Sequence, residues 1–445
     1  MKSKEYEIIP ETIDILSEPQ IETLFTPEYS NLKKDSIKVL SLFSGCGGMD
    51  LGLEGGFICN KKSIADTTSV ESFLENDWVK LKPTRFQTVF ACDILPEARI
   101  AWVNYMSRKG VDPSVYNLAS VVDLVRLHKN GVKVFPEDID VVTGGFPCQD
   151  FSVAGKRRGF DSKVAHNGKK DLVIEDSSMS RGKLYYWMKE VIEITKPKVF
   201  IAENVKGLVS LGDVKDIIQK DFSEAAGDGY FVFTPQVLHA ADYGVPESRE
   251  RVIFIGVRKS ALNNEIREIL ESGTPIPENL NPYPIPTHSD TVTKNFLPRV
   301  SCRDVLQHLP EPEQSNDLSH KFYSKAKFLE NGGQGQTEIN YNSIGPTIRA
   351  EHHGNIEFRR LSKQNGGKNT EEISKGLLQR RLSPRECALI QTFPPDYNFV
   401  LYKYGNSRFS VSPSMAYKII GNAVPPVLAY KIALRIQELW SVYFK

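Results

Sequence analysis

Short apolar runs recur at intervals along residues 37–257, and polar residues are scarce within them. They are rich in valine, isoleucine and phenylalanine, which is typical of strands buried on both faces of a sheet. Stretches with a helical spacing of apolar positions lie between them, as in EARIAWVNYMSRKG (97–110) and GKLYYWMKEVIEITKPK (182–198). This alternation predicts an α/β fold with a doubly wound, mostly parallel sheet, which binds ligands at the carboxyl ends of its strands. The runs are IKVLSLF (37–43), FQTVFAC (86–92), IDVVTGG (139–145), KVFIAEN (198–204) and RVIFIGV (251–257).

The pattern changes after Arg258. Residues 259–378 are rich in proline, glycine, asparagine and other polar residues, and they predict an inserted smaller domain with irregular structure and few strands. A long disordered linker is the alternative, which the β-like stretch GPTIRAEHHGNIEFRRL (345–361) disfavours. Helical spacing returns in SPRECALIQTF (383–393), which begins with a capping box, and in the apolar stretch 427–444, which we expect to pack on the sheet.

A chain of 445 residues is too long for most single cores, so these changes of pattern are interpreted as domain boundaries. Residues 58–85 exceed what a short connection between the first two apolar runs needs, and they are interpreted as a surface insertion. The predicted units are an N-terminal arm (1–35), a main α/β domain (36–258) completed by 400–445, the inserted domain (259–378), and a helix and hinge region (379–399) that joins the two.

Composition restricts the function class only slightly. The formal net charge is +1, with 40% hydrophobic and 25% charged residues, so any basic surface must be local. The six cysteines are scattered without a C-x-x-C pair, so no metal site or disulfide framework is expected and a reducing, cytosolic setting is indicated. No apolar run approaches the about 18 residues of a membrane helix, and residues 1–20 lack the apolar segment of a signal peptide.

A glycine turn, FSGCGG (43–48), follows the first apolar run and leads into an amphipathic helix. Its glycines allow a tight turn and a close approach of the backbone to a ligand, which the helix N-terminus would face. Asp93 ends the second run, where an acidic residue in such a sheet typically hydrogen-bonds ribose hydroxyls. Turn and acid together indicate a nucleoside-type cofactor, and they leave both NAD and S-adenosylmethionine open.

Cys148 follows the third run at the same edge of the predicted sheet, directly after Pro147. The next segment, SVAGKRRGF (152–160), is a glycine-bracketed basic loop that suits an anionic polymer. Cationic groups beside a thiol also favour the thiolate, so the setting suits a nucleophile. When each feature is considered alone, the alternative interpretations are an inert thiol at Cys148 and a solvated surface loop at 152–160.

Three further charged residues are predicted at this edge. Glu203 ends the fourth run, where a carboxylate is costly unless it is used or paired. Arg249 and Arg251 stand at the start of the last run. Thiol, carboxyl and the two guanidinium groups are therefore expected to converge on one pocket.

These segments resemble the ordered motifs of the C5-cytosine-specific DNA methyltransferases, in particular the bacterial enzymes of type II restriction–modification systems. The resemblance implies a Rossmann-like, S-adenosylmethionine-dependent methyltransferase fold whose inserted domain recognises the target sequence. The motifs are LSLFSGCGGMDLGLE, GGFPCQDFSVAGKRRGF, AENVKGL, LHAADYGVPESRERVIFIG, RRLSPRECALIQTFP and AYKIIGNAVPP.

The resemblance implies a covalent mechanism. The Cys148 thiolate would add to C6 of a cytosine that has been flipped out of the duplex, which makes C5 nucleophilic toward a methyl sulfonium. A protonated Glu203 would hydrogen-bond N3, Arg251 would hold O2, and Arg249 would order the site.

The family's motifs also imply two sets of binding residues. Ser120 stands where members often carry an adenine-contacting aspartate, and Asp123 is the nearest acid. The implied residues at S-adenosylmethionine are Phe43, Gly45, Cys46, Gly47, Gly48, Asp93, Ile94, Ser120, Pro147, Asn422 and Ala423. Those at DNA are Gln149, Ser152, Lys156, Arg157, Arg158, Gln334, Thr347 and Arg349, with Arg359 and Arg360 as neighbours within reach of bases or phosphates.

The expected partner is double-stranded DNA, and the expected state is a cytoplasmic, nucleoid-associated bacterial monomer. Functional pairing with a restriction endonuclease is expected without a stable complex. A transfer-RNA cytosine-5 methyltransferase and a non-catalytic DNA-binding regulator on the same scaffold are the alternatives, and a Rossmann dehydrogenase is a more distant third. The length of the inserted domain favours DNA over transfer RNA, and the intact Cys148, Glu203 and Arg251 favour an enzyme.

Overall fold

The structure is a computed structural model, and it describes residues 35–147, 184–330, 333–350 and 355–444, without the side chain of Thr370. The predicted N-terminal arm lies outside the described residues except for Asp35. Several predicted site residues also lie outside them, namely Cys148, Gln149, Ser152, Lys156, Arg157 and Arg158.

Strands and helices alternate along the first half of the described chain, and short elements predominate between residues 259 and 412. The strands are β1 (Ile37–Leu42), β2 (Ile58–Asn60), β3 (Val70–Phe73), β4 (Trp78–Leu81), β5 (Phe86–Asp93), β6 (Tyr116–Leu118), β7 (Val141–Gly145), β8 (Val199–Val205), β9 (Tyr230–Val232), β10 (Gln236–His239), β11 (Glu247–Ser248), β12 (Glu250–Arg258), β13 (His288–Ser289), β14 (Leu297–Pro298), β15 (Gly345–Pro346), β16 (Phe358–Arg360), β17 (Arg380–Arg381), β18 (Leu401–Tyr402) and β19 (Phe409–Val411). The α-helices are α1 (Gly48–Glu54), α2 (Pro96–Met106), α3 (Val121–Lys129), α4 (Leu184–Thr195), α5 (Val214–Ser223), α6 (Asn264–Glu271), α7 (Cys302–Leu306), α8 (Leu318–Lys321), α9 (Thr370–Ser374), α10 (Pro384–Ile390), α11 (Pro413–Asn422) and α12 (Pro426–Tyr443).

An 8-stranded mixed sheet forms the centre, in the order β10-β12-β8-β7-β1-β5-β6, with β9 also paired to β12. The pairs β1–β5, β1–β7, β5–β6 and β7–β8 are parallel. The chain runs outward from β1 to β5 and β6, then returns to β7 on the other side of β1. The predicted mostly parallel, Rossmann-like α/β fold is confirmed, and the strand order places a ligand crevice at the carboxyl ends of β1, β5 and β7.

One end of the sheet is antiparallel. β12 pairs antiparallel with β8, and β9 and β10 pair antiparallel with β12. The apolar run 251–257 does not reveal this direction, because a strand buried on both faces has the same composition in either orientation. The consequence is that the start of β12, with Arg251, lies beside the end of β8, with Glu203.

The sheet separates two apolar cores. Successive residues of β1 point to opposite faces, so Val39 belongs to one core and Leu40 to the other. Helices α1, α2 and α12 pack on the first face, and α3, α4 and α5 pack on the second.

Residues 259–378 share the first of these cores. Val300, Val305, Ile339, Ile348 and Ile356 are buried in the same cluster as the apolar residues of α12. This part of the chain is therefore packed directly on the main sheet domain through a continuous apolar core. The domain boundaries given above stay predictions.

The stretch 58–85 is more than a surface insertion, and that interpretation was incomplete. It forms a three-stranded antiparallel sheet in the order β2-β4-β3, and Val79 and Leu81 of β4 are completely buried. Asn60 and Lys62 contact Asp304 at the start of α7, at 2.9 and 2.6 Å. Val79 and Leu81 flank Lys80 in the sequence, and this apolar–polar–apolar alternation was the signal for the strand.

Taken as one helical stretch, Pro413–Tyr443 is long and apolar enough to cross a membrane by length and composition alone. Most of that stretch, 78% of its most apolar window, is buried inside the protein. Gly52 of α1 lies so close to Pro426 and Ala429 that an added Cβ would collide with them. This burial is typical of a core helix, as expected for 427–444.

Candidate active site

The glycine turn lies between the carboxyl ends of β1 and β5. Asp93 Oδ2 accepts a hydrogen bond of 3.0 Å from the Gly45 N–H, and Asp93 Oδ1 accepts one of 3.0 Å from the Leu95 N–H. Each carboxylate oxygen has a second lone pair for a ligand hydroxyl. Burial raises the pKa of Asp93. A Cβ at Gly45 would meet no atom within 4 Å, so the turn is open on the side where a ligand would lie.

Phe43, directly after β1, has a φ of 54°. A bulky residue in this left-handed region is strained, and such strain clusters at ligand sites. Ile94 is 40% exposed directly after Asp93, which leaves an apolar side chain at the mouth of the crevice. Both positions fit the flat, partly apolar surface of a nucleoside.

The other glycines of the turn serve packing. A Cβ at Gly47 would collide with Trp102 of α2, and a Cβ at Gly48 would collide with the Val424 carbonyl. The side chain of Cys46 is also directed into the protein, where its Sγ lies 3.2 Å from the Ile419 carbonyl. Cys46 therefore reaches the crevice through its backbone alone, because its thiol is held in the core.

Ser120 caps α3, where its Oγ accepts a hydrogen bond of 3.3 Å from the Val122 N–H. It is 8% exposed, whereas Asp123 is exposed in the first turn of the same helix. Tyr116, at the start of β6, donates from its hydroxyl to the Gly45 carbonyl at 2.9 Å. The start of α3 thus lies near the crevice, and the adenine contact stays a prediction.

The pair formed by Glu203 and Arg251 occupies the adjoining part of the edge. Arg251 Nε lies 2.7 Å from Glu203 Oε1, and both side chains are about nine-tenths buried, with 12% and 10% exposed. Gly145 stands opposite Glu203 in the β7–β8 register, and a Cβ there would lie 2.8 Å from Glu203 Oε2. Glycine at this position is therefore what gives the Glu203 carboxylate its room.

Pro147 is half-buried and follows Gly145, the residue opposite Glu203, by two positions, so the chain leaves β7 beside this pair immediately before Cys148. Buried Asn204 holds that part of the chain, because its Nδ2 donates to the Phe146 carbonyl at 3.1 Å. Its Oδ1 accepts from the Val205 N–H at 2.8 Å. The sequence interpretation missed Asn204, although an amide beside Glu203 at the end of an apolar strand was a usable signal.

Asp50 is a second residue that the sequence interpretation missed. Its buried carboxylate accepts from Ser41 Oγ at 2.6 Å and from Trp102 Nε1 at 2.7 Å, beneath the glycine turn. Burial raises the pKa of Asp50 to about 6, against these two stabilising hydrogen bonds. An acidic residue within the apolar helix α1 was the signal.

Arg249 does not share the pocket in the way that was expected. It is 1% exposed, and its guanidinium donates to the carbonyls of Ile348, Gly421 and Ala423 at 3.1, 3.0 and 2.7 Å. The expectation that both guanidinium groups converge on Glu203 is therefore wrong for Arg249. Alternate residues of a strand point to opposite sides, but β11 ends at Ser248 and β12 begins at Glu250, so the alternation is broken at Arg249.

The far end of the chain reaches the same crevice. Asn422 is exposed at the end of α11, and Ala423 is half-buried beside it. Val424 abuts Gly48 of the turn. The structure thus brings both ends of the main domain to one edge, as the implied cofactor set requires.

Three of the residues implied at DNA, Gln334, Thr347 and Arg349, lie on the inserted segment. Gln334 is exposed, and Thr347 is half-buried with its hydroxyl donating to the Ser248 carbonyl. Arg349 pairs with Glu357 at 2.9 Å. The β11–β15 pairing holds the chain that leads into Thr347 next to the residues that precede β12.

Arg359 and Arg360 cannot contact bases or phosphates from where they lie, so that expectation is wrong. They are 4% and 1% exposed, and both pair with Glu372, while Arg360 also pairs with Glu311. Their long stems are buried and their charges are neutralised within the protein. A run of arginines in sequence does not distinguish a buried ion-pair network from a DNA-binding surface.

A family model described as C-5 cytosine-specific DNA methylase matches residues 37–438. The chain belongs to the C-5 cytosine-specific DNA methylase family. It is a DNA (cytosine-5-)-methyltransferase of the type II restriction–modification kind, from a family of methyltransferases that use S-adenosylmethionine. Within the described part of the chain, no group of three or more histidine, cysteine or acidic side chains is arranged to hold a metal ion.

Similar proteins cover nearly the whole chain. The type II methyltransferase M.BspRI of Lysinibacillus sphaericus is 31% identical over 428 residues, 93% of this chain and 84% of the relative. The type II methyltransferase M.BsuRI of Bacillus subtilis is 30% identical over 440 residues, 94% of this chain and 83% of the relative. The crystal structure of S. pombe Dnmt2 methyltransferase, at 16% identity and a TM-score of 0.52, covers 91% of this chain and 99% of its own, and it supports the fold.

Proposed function

We propose that this methyltransferase modifies carbon 5 of one cytosine within a specific duplex DNA sequence, through a covalent bond between Cys148 and C6. The observation that carries the proposal is the Glu203–Arg251 pair, at 2.7 Å, on the edge that the chain crosses immediately before Cys148. A carboxyl and a guanidinium placed side by side match the N3 and O2 atoms of a cytosine.

C5 of cytosine is a weak nucleophile, so the reaction needs prior addition to the ring. The Cys148 thiolate forms a bond to C6, and the ring electrons move to C5, which takes the methyl group. Loss of the C5 proton and departure of the thiolate then restore aromaticity. Cys148 lies outside the described residues, and its assignment rests on the GGFPCQDFS motif and on the position of Pro147.

Glu203 and Arg251 stabilise the charge that this addition creates. Negative charge moves onto the ring, so the Glu203 carboxyl shares a proton with N3 while Arg251 holds O2. The low exposure of both side chains strengthens these interactions by excluding water. Attack from above the ring plane requires the base to leave the stack, at a cost of a few kcal/mol.

The turn residues fit S-adenosylmethionine, which supplies the methyl group. Asp93 retains lone pairs for ribose hydroxyls, the side of Gly45 is open, and Ile94 offers an apolar surface. Asn422 closes the crevice from the C-terminal side. Gln334, Thr347 and Arg349 are proposed to face the duplex, together with the basic loop 152–160.

The decisive experiment is covalent trapping on duplex DNA that contains 5-fluorocytosine, with S-adenosylmethionine present. The site is first located by bisulfite sequencing of DNA from an expressing host, which reports the modified base and its flanking sequence. We expect an adduct with the unaltered protein and none with Cys148→Ser, which should retain duplex binding while losing methyl transfer.

Retained turnover in Cys148→Ser would remove the nucleophile assignment. Absence of an adduct with the unaltered protein would favour a non-catalytic DNA-binding regulator. Label transferred to transfer RNA but not to duplex DNA would favour the transfer-RNA enzyme.

We further propose that the enzyme acts as a cytoplasmic, nucleoid-associated monomer and protects host DNA from a partner restriction endonuclease. The similarity to type II methyltransferases across nearly their full length supports this proposal. Sedimentation of the protein with and without its duplex would test the monomer.

A further inference from the structure

Three chain segments meet around one buried arginine at the junction between the predicted recognition segment and the cofactor crevice. The segments are β11 with Arg249, the stretch that follows β15, and the C-terminal end of α11. Arg249 and Glu247 each have fully buried side chains, and they approach to 3.5 Å. A buried arginine of this kind is costly unless its donors are satisfied, so its partners define its role.

Arg249 bridges the two other segments. One side of its guanidinium donates to the Ile348 carbonyl, and the other donates to the carbonyls of Gly421 and Ala423. Ile348 stands between Thr347 and Arg349, the residues proposed to face the duplex. Gly421 and Ala423 flank Asn422, which is proposed to close the cofactor crevice.

Glu247 completes the junction from β11, two residues before Arg249. Its Oε1 accepts from the Ile348 N–H at 2.6 Å, so both backbone polar groups of Ile348 are held by the Glu247–Arg249 pair. β11 also pairs in parallel with β15, in the register Glu247–Gly345 and Ser248–Pro346. The stretch after β15 is therefore fixed by main-chain and side-chain contacts together.

Close packing makes the junction stiff. Gly421 lies against the backbone of Arg349 and Ala350, so closely that an added Cβ would collide with both. Three residues further along, the chain abuts the glycine turn, where Val424 meets Gly48. A displacement at one of these positions must therefore be accommodated at the other, because packed interiors transmit strain.

We propose that Arg249 is a positioning residue that couples duplex binding at the recognition segment to cofactor binding at the glycine turn. The proposal rests on the function proposed above. A duplex that orders Thr347 and Arg349 also orders Ile348, and through Arg249 it fixes the carbonyls on both sides of Asn422. By linkage, cofactor binding must then tighten duplex binding by the same factor.

The test measures the dissociation constant of S-adenosylhomocysteine by calorimetry, with and without a saturating duplex that carries the site found by bisulfite sequencing. For the unaltered protein we expect the duplex to tighten binding by about 5–150-fold, the usual range for coupled sites. Arg249→Lys keeps the charge near Glu247 but cannot reach three carbonyls. We therefore expect the duplex to change the dissociation constant of S-adenosylhomocysteine by less than about threefold in this variant.

Arg360→Lys is the matched control. Arg360 is also almost fully buried, and it donates to the Leu378 carbonyl and to the carboxylates of Glu311 and Glu372, with no contact to the glycine turn or to Asn422 among the described residues. We expect this variant to lose stability while keeping the coupling factor of the unaltered protein. Equal loss of coupling in both variants would assign the effect to general destabilisation and overturn the proposal.

A measurement on the unaltered protein decides the matter if Arg249→Lys does not fold. Saturating S-adenosylhomocysteine should slow amide hydrogen exchange in peptides that contain Ile348, and unchanged exchange there would overturn the coupling. A protein that methylates duplex DNA with a coupling factor of one refutes this inference alone. A protein that neither binds nor methylates any duplex refutes the proposed function.

Discussion

Two glutamate–arginine pairs in this enzyme have the same closest separation and different surroundings. Arg251 Nε lies 2.7 Å from Glu203 Oε1 at the carboxyl edge of the sheet. Arg380 Nη1 lies 2.7 Å from Glu386 Oε2 at the start of α10. Distance alone therefore does not separate a site from a structural contact.

The Glu386 carboxylate is already surrounded by hydrogen-bond donors from the protein. Its carboxylate accepts from two nitrogens of Arg380 and from the Ser383 N–H, and Arg359 lies at 3.3 Å. Burial alone would raise the pKa of Glu386, but Arg380 and these donors hold it at about 2. A carboxylate held in this way is permanently charged and has no capacity left for a ligand.

Glu203 is placed differently. Within the described residues Arg251 is its charged partner, through one oxygen, while the other oxygen lies toward the open side of Gly145. A side chain held at one end and available at the other can bind a substrate. On the basis of this difference, an unoccupied carboxylate oxygen beside a glycine within the described residues, we propose that Glu203 and Arg251 are the functional pair.

The largest expected effect is on activity at Glu203. Glu203→Gln keeps the size of the side chain but removes its proton, so we expect methyl transfer to fall by about 10²–10⁴-fold, the usual range for general acid–base groups. Radiolabelled transfer to duplex DNA measures it, with thermal unfolding as the control for folding. A variant of normal stability and normal rate would place Glu203 with the structural pairs.

The second effect is on stability at Glu386. Glu386→Gln leaves Arg380 without its full partner, so we expect the free energy of unfolding to fall by about 3–5 kcal/mol, as for other broken buried pairs. Glu313→Gln is the control, because Glu313 is exposed and lies 3.9 Å from Lys325, so its loss should cost less than about 1 kcal/mol. Urea unfolding measures both variants. If the free energy of unfolding fell by the same amount in each, the contrast between the buried and the exposed glutamate would be wrong.

The smallest effect concerns Asp50, a buried carboxyl whose hydrogen-bond donors are neutral. Its pKa is raised by burial to about 6, so the folded protein keeps this proton while the unfolded chain releases it near pH 4. Stability from this group is present below pH 4 and is lost as pH rises to about 6, by about 2–3 kcal/mol in total.

Asp50→Asn removes that titration while keeping an oxygen for Trp102. We therefore expect the variant to gain up to about 2–3 kcal/mol relative to the unaltered protein between pH 4 and pH 7. Urea unfolding across this range measures the difference. A difference that does not change with pH would show that Asp50 is charged in the folded protein.

Much of the fold was predictable because its signals are local. The apolar runs at 37–43, 86–92 and 139–145 gave the parallel strands, and the capping box at Ser383 gave the start of α10. The location of Asp93 and Glu203 at one edge of the sheet was also predictable, because the carboxyl ends of neighbouring parallel strands lie at the same edge. The antiparallel direction of β12 was not predictable from the sequence, because a strand buried on both faces has the same composition in either direction.

The charged residues were the least predictable. Arg249, Arg359 and Arg360 looked equally suited to a substrate, yet all three are buried and neutralised inside the protein. Their partners, such as the carbonyls of Gly421 and Ala423, are distant in sequence and carry no side-chain signal. Long side chains reach several directions, so their targets depend on packing.

The residues alone were sufficient to predict the family, the sheet and the order of the motifs, since strand composition and turn residues act over short distances. Contacts between distant segments determine which charged side chains face the crevice and which are paired in the interior. The reason is physical: the free energy of a buried charge depends on every group around it, and those groups come together from all parts of the chain.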